Sequence, residues 1–266
     1  MQNNKVNQML KKKLSTFEFI IIIAMNFSAI AFSIDAILPA LPEISAAMSP
    51  TSPNKTQLVI SSFVIGMGIA TLFTGPLSDS FGRKKIILLG GIIYITGALI
   101  ASYSKTLEIM LIGRFVQGIG VAGPRVVALA IVRDLYEGRR MAQIVSIAMI
   151  FFTLVPAIAP MLGALIISNF GWRSIFIAFI VFSIVSIGWL LIRQGETLSP
   201  EHRVKFTFLN LTNSLKECLS NKIFLTSTAL QALTFGILFS SLSTIQQIFD
   251  TTYNRNDSFP QWFALI

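Results

Sequence analysis

The sequence predicts an all-α, polytopic membrane protein, and three observations carry that prediction. Apolar runs of roughly 18 residues or more recur along the chain, the length a helix needs to span a hydrocarbon core. Charged residues make up 12% and hydrophobic residues 53% of the 266 residues, with mean hydropathy +0.72. A soluble domain carries about 25% charged residues. The cations also concentrate in alternate connections between the runs, as membrane topology demands.

Taken in order, the runs place spans at 17–38, 57–77, 86–103, 107–132, 142–168, 174–192 and 223–247. The first follows Lys11, Lys12 and Lys13, and Ala29-Ile30-Ala31 resembles a cleavage site. Its 22 residues exceed the apolar core of a cleavable signal, about 7–15 residues. An uncleaved first span is therefore expected. An eighth apolar stretch begins at Phe259 and has eight residues before the sequence stops. That is roughly 12 Å of helix, against the roughly 30 Å of a bilayer core. The sequence thus reads as stopping within its eighth span, as a fragment or truncated product would.

Charge assigns the faces. The N-terminal tail and the even-numbered connections hold fifteen cations, among them Arg83, Lys84, Lys85, Arg133, Arg139 and Arg140; the opposite connections hold four, Lys55, Lys105, Arg173 and Arg255. Short loops rich in Lys and Arg stay in the cytoplasm. The N-terminus and the loop at 75–85 are therefore expected there, in a cell inner membrane. The longest connection, 193–222, is also cytoplasmic by this count and divides the chain. Residues 1–192 are expected to form a six-span lobe, 193–222 a cytoplasmic linker, and 223–266 the incomplete start of a second lobe.

Several function classes drop out. The net charge of +9 follows topology rather than a basic face, which argues against nucleic-acid binding. Cys218 is the one cysteine and His202 the one histidine, so neither an internal disulfide nor a metal cluster is expected, and no cofactor is implied. No nucleophile–base pair or phosphate loop occurs in an aqueous segment, so an enzyme is not expected. Gly118-Ile119-Gly120-Val121-Ala122-Gly123 matches G-x-G-x-x-G, but that motif needs a preceding strand. Inside an apolar helix the same small residues serve close helix packing.

Ionisable side chains within spans are costly and mark substrate or proton paths. Asp35 lies about 5 Å and Arg114 roughly 10 Å below the same surface at 1.5 Å per residue, so the two share a depth to within about one helical turn. Arg125 lies near the other end of the fourth span, where it is placed to snorkel. Pro156 and Pro160, four residues apart in the fifth span, remove amide donors from one face and are expected to kink it.

Four motifs carry a family resemblance. Gly75, Leu77, Asp79, Gly82, Arg83 and Lys84 match a cytoplasmic signature loop, with Ser80 where an arginine is usual. Arg114, Gln117, Gly118 and Gly120 match a fourth-span R-x-x-Q-G-x-G. Residues 159–164, Ala-Pro-Met-Leu-Gly-Ala, resemble the fifth-span antiporter motif G-P-x-x-G-G through Pro160 and Gly163. Residues 35–42 resemble D-x-x-L-P-A-L-P. The chain resembles the N-terminal half, plus the seventh span and part of the eighth, of a major facilitator superfamily transporter. Within it, the chain is similar to the bicyclomycin/chloramphenicol-resistance drug-efflux branch.

The resemblance implies alternating access between two six-span lobes, with protons entering as a drug-like small molecule leaves, in a monomer embedded in the lipid bilayer. Asp35 is then expected to take up the proton and Arg114 to tune its affinity, with Gln117 beside it. Asp79 is expected to pair with Arg133, Arg139 or Arg140 when the cytoplasmic side closes. Two other readings stay open: a proton-linked uptake carrier for a metabolite, and a truncated remnant that does not transport.

Overall fold

The computed structural model describes residues 14–49, 51–253 and 258–265. Among them seven helices are long and apolar enough to cross a membrane, and no strand occurs. The cations Lys5, Lys11, Lys12, Lys13 and Arg255, counted above, lie outside the described residues.

Helix α1 spans Thr16–Asp35 and starts at Ser15, whose hydroxyl accepts the Glu18 amide at 3.1 Å. Pro39 and Pro42 then sit in the first turns of a short 3-10 segment, Leu38–Ala40, and of α2, Leu41–Met48, where a missing amide hydrogen costs nothing. Helices α3, Leu58–Phe81, and α4, Arg83–Ser102, follow. Helix α5, Leu107–Leu135, is capped by Thr106. Helix α6, Gly138–Phe170, is 33 residues long and ends at Gly171 with φ 76°. Helix α7 covers Ser174–Arg193. Beyond it come α8, Phe208–Ser220; α9, Lys222–Thr251; and the short α10, Phe259–Leu265.

Helix α5 packs against both α3 and α4, α1 against α6, and α4 against α7. Glycines set the closeness. A Cβ on Gly118 would lie 2.0 Å from the Phe63 carbonyl oxygen of α3, and one on Gly120 would lie 2.2 Å from the Tyr94 nitrogen of α4. The false dinucleotide motif is therefore the surface on which α5 presses main chain against two neighbours. The opposite faces of these helices are apolar and exposed, as at Ile65, Ile69, Leu72, Leu88, Ile92 and Leu165. Side chains of that kind on so much surface require lipid rather than water.

Both ends of the six-helix body are tied. Arg193 at the end of α7 holds Glu18 of α1 through two hydrogen bonds of 2.6 and 2.8 Å, and the Trp189 indole donates to the same carboxylate at 3.1 Å. At the opposite end, Gln247 of α9 donates to Asn54 at 2.7 Å, and Phe259 of α10 is fully buried against the body. Between these ends α9 is exposed, including Leu230, Leu233 and Ile237.

The connection at 75–85 differs from the sequence reading. Residues 75–85 were expected as a loop, yet α3 continues through Gly75, Pro76 and Asp79 to Phe81. The whole reversal falls on Gly82, at φ 98°, a conformation that glycine alone adopts freely. The reason is local: Pro76 still leaves the hydrogen bonds from Ser78 onward intact, and Gly82 N donates to Ser78 O at 3.1 Å. Pro156 and Pro160 likewise lie inside the one continuous helix α6.

Candidate functional site

Two constellations stand out, one buried near the Asp35 end of α1 and one at the Gly82 end of the bundle.

In the first, Arg114 is fully buried. Its Nε donates to Val59 O of α3 at 3.1 Å, Nη2 to Ser33 O of α1 at 3.0 Å, and Nη1 to Gln117 Oε1 at 2.8 Å. The centre of the Phe63 ring lies 4.4 Å from the guanidinium carbon, a cation–π contact strengthened by the burial of Arg114. The signature arginine thus gathers three helices. Gln117 occupies the next turn of the same helix, which explains the R-x-x-Q spacing.

Ser33 carries a second link. Its hydroxyl donates to Ala29 O at 2.6 Å and lies 2.6 Å from the Tyr94 hydroxyl. A serine has one proton to give, so Tyr94 is the donor to Ser33. Tyr94 was missed in the sequence because it sits in an otherwise apolar run.

Asp35, the last residue of α1, is 3% exposed, and its Oδ1 has no hydrogen-bond partner. The guanidinium of Arg114, expected to tune Asp35, directs its bonds to Val59, Gln117 and Ser33. Each of its three nitrogens thus donates to one oxygen, two carbonyls and an amide. The connection between the two residues is main chain, through the carbonyl two residues before Asp35. On the other side, a Cβ on Gly163 would fall 2.1 Å from Ala36 O. The fifth-span motif therefore touches the chain immediately after Asp35, with Pro160 buried one turn away and Pro156 half-buried.

At the Gly82 end, Arg83 is the hub. It donates from Nε and Nη2 to both oxygens of Asp134, at 3.0 and 3.3 Å, and from Nη1 to Ser78 Oγ at 2.7 Å and to Asp79. Asp79 pairs with Arg83 across the Gly82 reversal, not with Arg133, Arg139 or Arg140 as expected. The reversal at Gly82 brings Arg83, the first residue of α4, back against the end of α3 beside Asp79. Lys84 Nζ donates to Leu191 O at 2.6 Å.

The segment after α7 closes over this hub. The Glu196 carboxylate accepts the amides of Arg83 and Lys84 at 3.0 and 3.2 Å. These are orphan donors of the first turn of α4, where an anion is favoured. Thr197 Oγ1 donates to Asp134 at 2.7 Å, Val204 N to Asp79 O at 3.3 Å, and Ser80 Oγ to Val204 O. Gly82 is required twice over, by its φ and because a Cβ there would meet Glu196 Oε2 at 2.7 Å. Gly75 has open space around its Cα. Glu196 and Asp134 were not singled out in the sequence. Glu196 lies over a hundred residues from its partners, in a polar stretch without periodicity.

Beside this hub a cavity of about 400 Å³ opens among α1, α3, α5 and α6, lined by Phe27, Asp79, Arg125, Arg133, Met149 and Phe152, among others. Among the described residues no three His, Cys, Asp or Glu side chains come together as a metal site. His202 bonds locally to Ser199 at 2.6 Å.

Known proteins place this architecture. The D-xylose–proton symporter superposes with a TM-score of 0.66 over 93% of this chain and 65% of its own, at 13% identity; the human organic anion transporter MFSD10 superposes with 0.61 over 76% and 53%, at 18% identity. At those identities the likeness is one of fold. In sequence, a bicyclomycin resistance protein homolog of Haemophilus influenzae is 34% identical over 190 residues, 71% of this chain and 48% of its own. The multidrug resistance protein MdtL of Salmonella schwarzengrund is 31% identical over 209 residues, 77% of this chain and 51% of its own. The chain spans about half the length of the curated relatives it matches. A family model described as Major Facilitator Superfamily matches residues 21–265. With that match over nearly all its length, the chain belongs to the Major Facilitator Superfamily of transporters.

Proposed function

We propose that this chain supplies the first six-helix lobe, residues 1–192, of a proton-coupled antiporter that exports drug-like small molecules by alternating access. Residues 193–222 link it to a second lobe that begins at 223. The protein works as a monomer in the cell inner membrane, with its N-terminus, the Gly82 turn and the linker in the cytoplasm. The relatives' names, bicyclomycin resistance and multidrug resistance, support the direction and substrate class.

The observation that carries the reading is Asp35: a buried carboxyl with an unpartnered oxygen, set between a main-chain carbonyl held by Arg114 and the Gly163 face of α6. The free oxygen is where a proton can sit, and both flanking contacts come from helices that line the expected pathway. Arg114 and Gln117 act here by fixing the main chain of α1.

The test is Asp35→Asn in everted vesicles, following accumulation of radiolabelled chloramphenicol, an uncharged aromatic drug, driven by an imposed pH gradient. Loss of gradient-driven accumulation is expected. Accumulation equal to that of the unaltered chain would sink the assignment, and accumulation in right-side-out vesicles alone would mark an uptake carrier instead.

A further inference from the structure

The chain carries two arginines within α5, and their surroundings differ in kind. Arg114 has every arm of its fork occupied by oxygen. Arg125 stands ten residues before the end of α5 at Leu135, roughly 15 Å of helix. It borders the cavity of about 400 Å³ beside the Gly82 hub. The Phe152 ring of α6 lies 5.4 Å from its guanidinium carbon. No hydrogen bond or ion pair to Arg125 occurs among the described residues.

The acids on the same wall are already engaged. Asp79 and Asp134 both bond Arg83, and Asp134 also receives Thr197. Arg125 and Arg133 are left as the cations facing the space, while Phe27, Val145, Met149 and Phe152 give it an apolar side. A volume of this size holds a small drug-like solute. A guanidinium with open donors presents a fork that matches a carboxylate or sulfonate.

We propose that this cavity is an anion site, in which Arg125 binds the acidic group of an amphipathic aromatic solute while Phe152, Phe27 and Met149 hold its ring. This deepens the export reading by naming a substrate class, aromatic organic anions, for the same pathway.

The experiment is a binding titration of the chain in phosphatidylcholine nanodiscs, read by saturation-transfer NMR, with salicylate, benzylamine and benzyl alcohol as matched probes. Salicylate is expected to bind saturably. Arg125→Gln should weaken it at least tenfold, Arg125→Lys should keep part of the affinity, and Phe152→Ala should weaken it with the charge intact. The proposal is overturned by salicylate binding that Arg125→Gln leaves unchanged, by benzylamine binding as tightly as salicylate, or by no saturable binding at all. Phosphatidylglycerol nanodiscs separate the other source of anion. If that lipid abolishes salicylate binding, the site holds a lipid phosphate and the solute assignment fails. Melting curves of each variant report folding. The titration has no proton gradient, so its failure is distinct from a failure of Asp35 in vesicle transport.

Discussion

Glu196 sits across the start of the helix that begins at Arg83, its carboxylate accepting the main-chain amides of Arg83 at 3.0 Å and of Lys84 at 3.2 Å. A residue from the connection after the sixth span thereby caps the helix of the third. Glu196→Ala is expected to cost about 1 kcal/mol of stability, the usual worth of a helix cap. Because the next residues, Thr197 and Val204, bind the same hub, the loss should also loosen the connection. Limited trypsin digestion at Arg203 and Lys205 checks this, and a cleavage rate unchanged from the parent chain would refute it.

Gly82→Ala should be worse than Gly75→Ala, although both glycines belong to the signature loop. At Gly82 the substitution meets a positive φ and a carboxylate oxygen 2.7 Å away, whereas Gly75 has nothing within 4 Å. A residue with a Cβ in that conformation costs roughly 1–2 kcal/mol. Paired melting curves of the two variants decide the order.

Arg114→Lys is expected to destabilise the fold despite keeping the charge. One ammonium has no planar fork to serve Val59 O, Ser33 O and Gln117 at their present positions, and each buried acceptor left unpaired costs about 1–3 kcal/mol. Thermal unfolding in detergent should show a drop for Arg114→Lys that approaches that of Arg114→Gln.

Asp134→Asn should disturb the Gly82 end more than Asp79→Asn. Asp134 takes two hydrogen bonds from Arg83 and one from Thr197, while the Asp79 side chain is half exposed and takes one arm of Arg83. Exposed pairs contribute little, about 0–1 kcal/mol. Trypsin sensitivity of the connection, compared between the two variants, reads the difference.

Cys218 is the only cysteine in the sequence and lies in α8 of the connection. If the Gly82 end faces the cytoplasm, a membrane-permeant maleimide labels Cys218 in intact cells and an impermeant one does not. Labelling by the impermeant reagent would invert the topology.

Much of this was legible because the membrane leaves coarse marks in a sequence. Seven long helices and the packing role of Gly118 and Gly120 follow from apolar length and small-residue spacing. The partners of these residues were not legible. Asp79 was assigned to distant arginines because the segment around it reads as a loop. Once α3 continues to Phe81 and the chain reverses at Gly82, Arg83 at the start of α4 falls beside Asp79. Tyr94 is hidden because its ring suits an apolar run and only its hydroxyl matters. Glu196 is hidden because contacts between residues 83 and 196 leave no periodic trace. The join between Asp35 and Arg114 was read from shared depth, which fixes a level in the membrane but not which oxygen a guanidinium chooses.

The approach of Gly163 to Ala36 has a mechanical meaning. Main chain lies on main chain there, with no side-chain layer to compress or re-pack. Between α6 and the end of α1 there is thus no slack: a tilt of one helix must carry the other with it or separate them outright. The carboxyl of Asp35, one residue from that contact, rides on a stiff joint. Whatever reorients α6 therefore reorients the acid by a comparable amount, and a methyl group at position 163 would act as a shim in that joint.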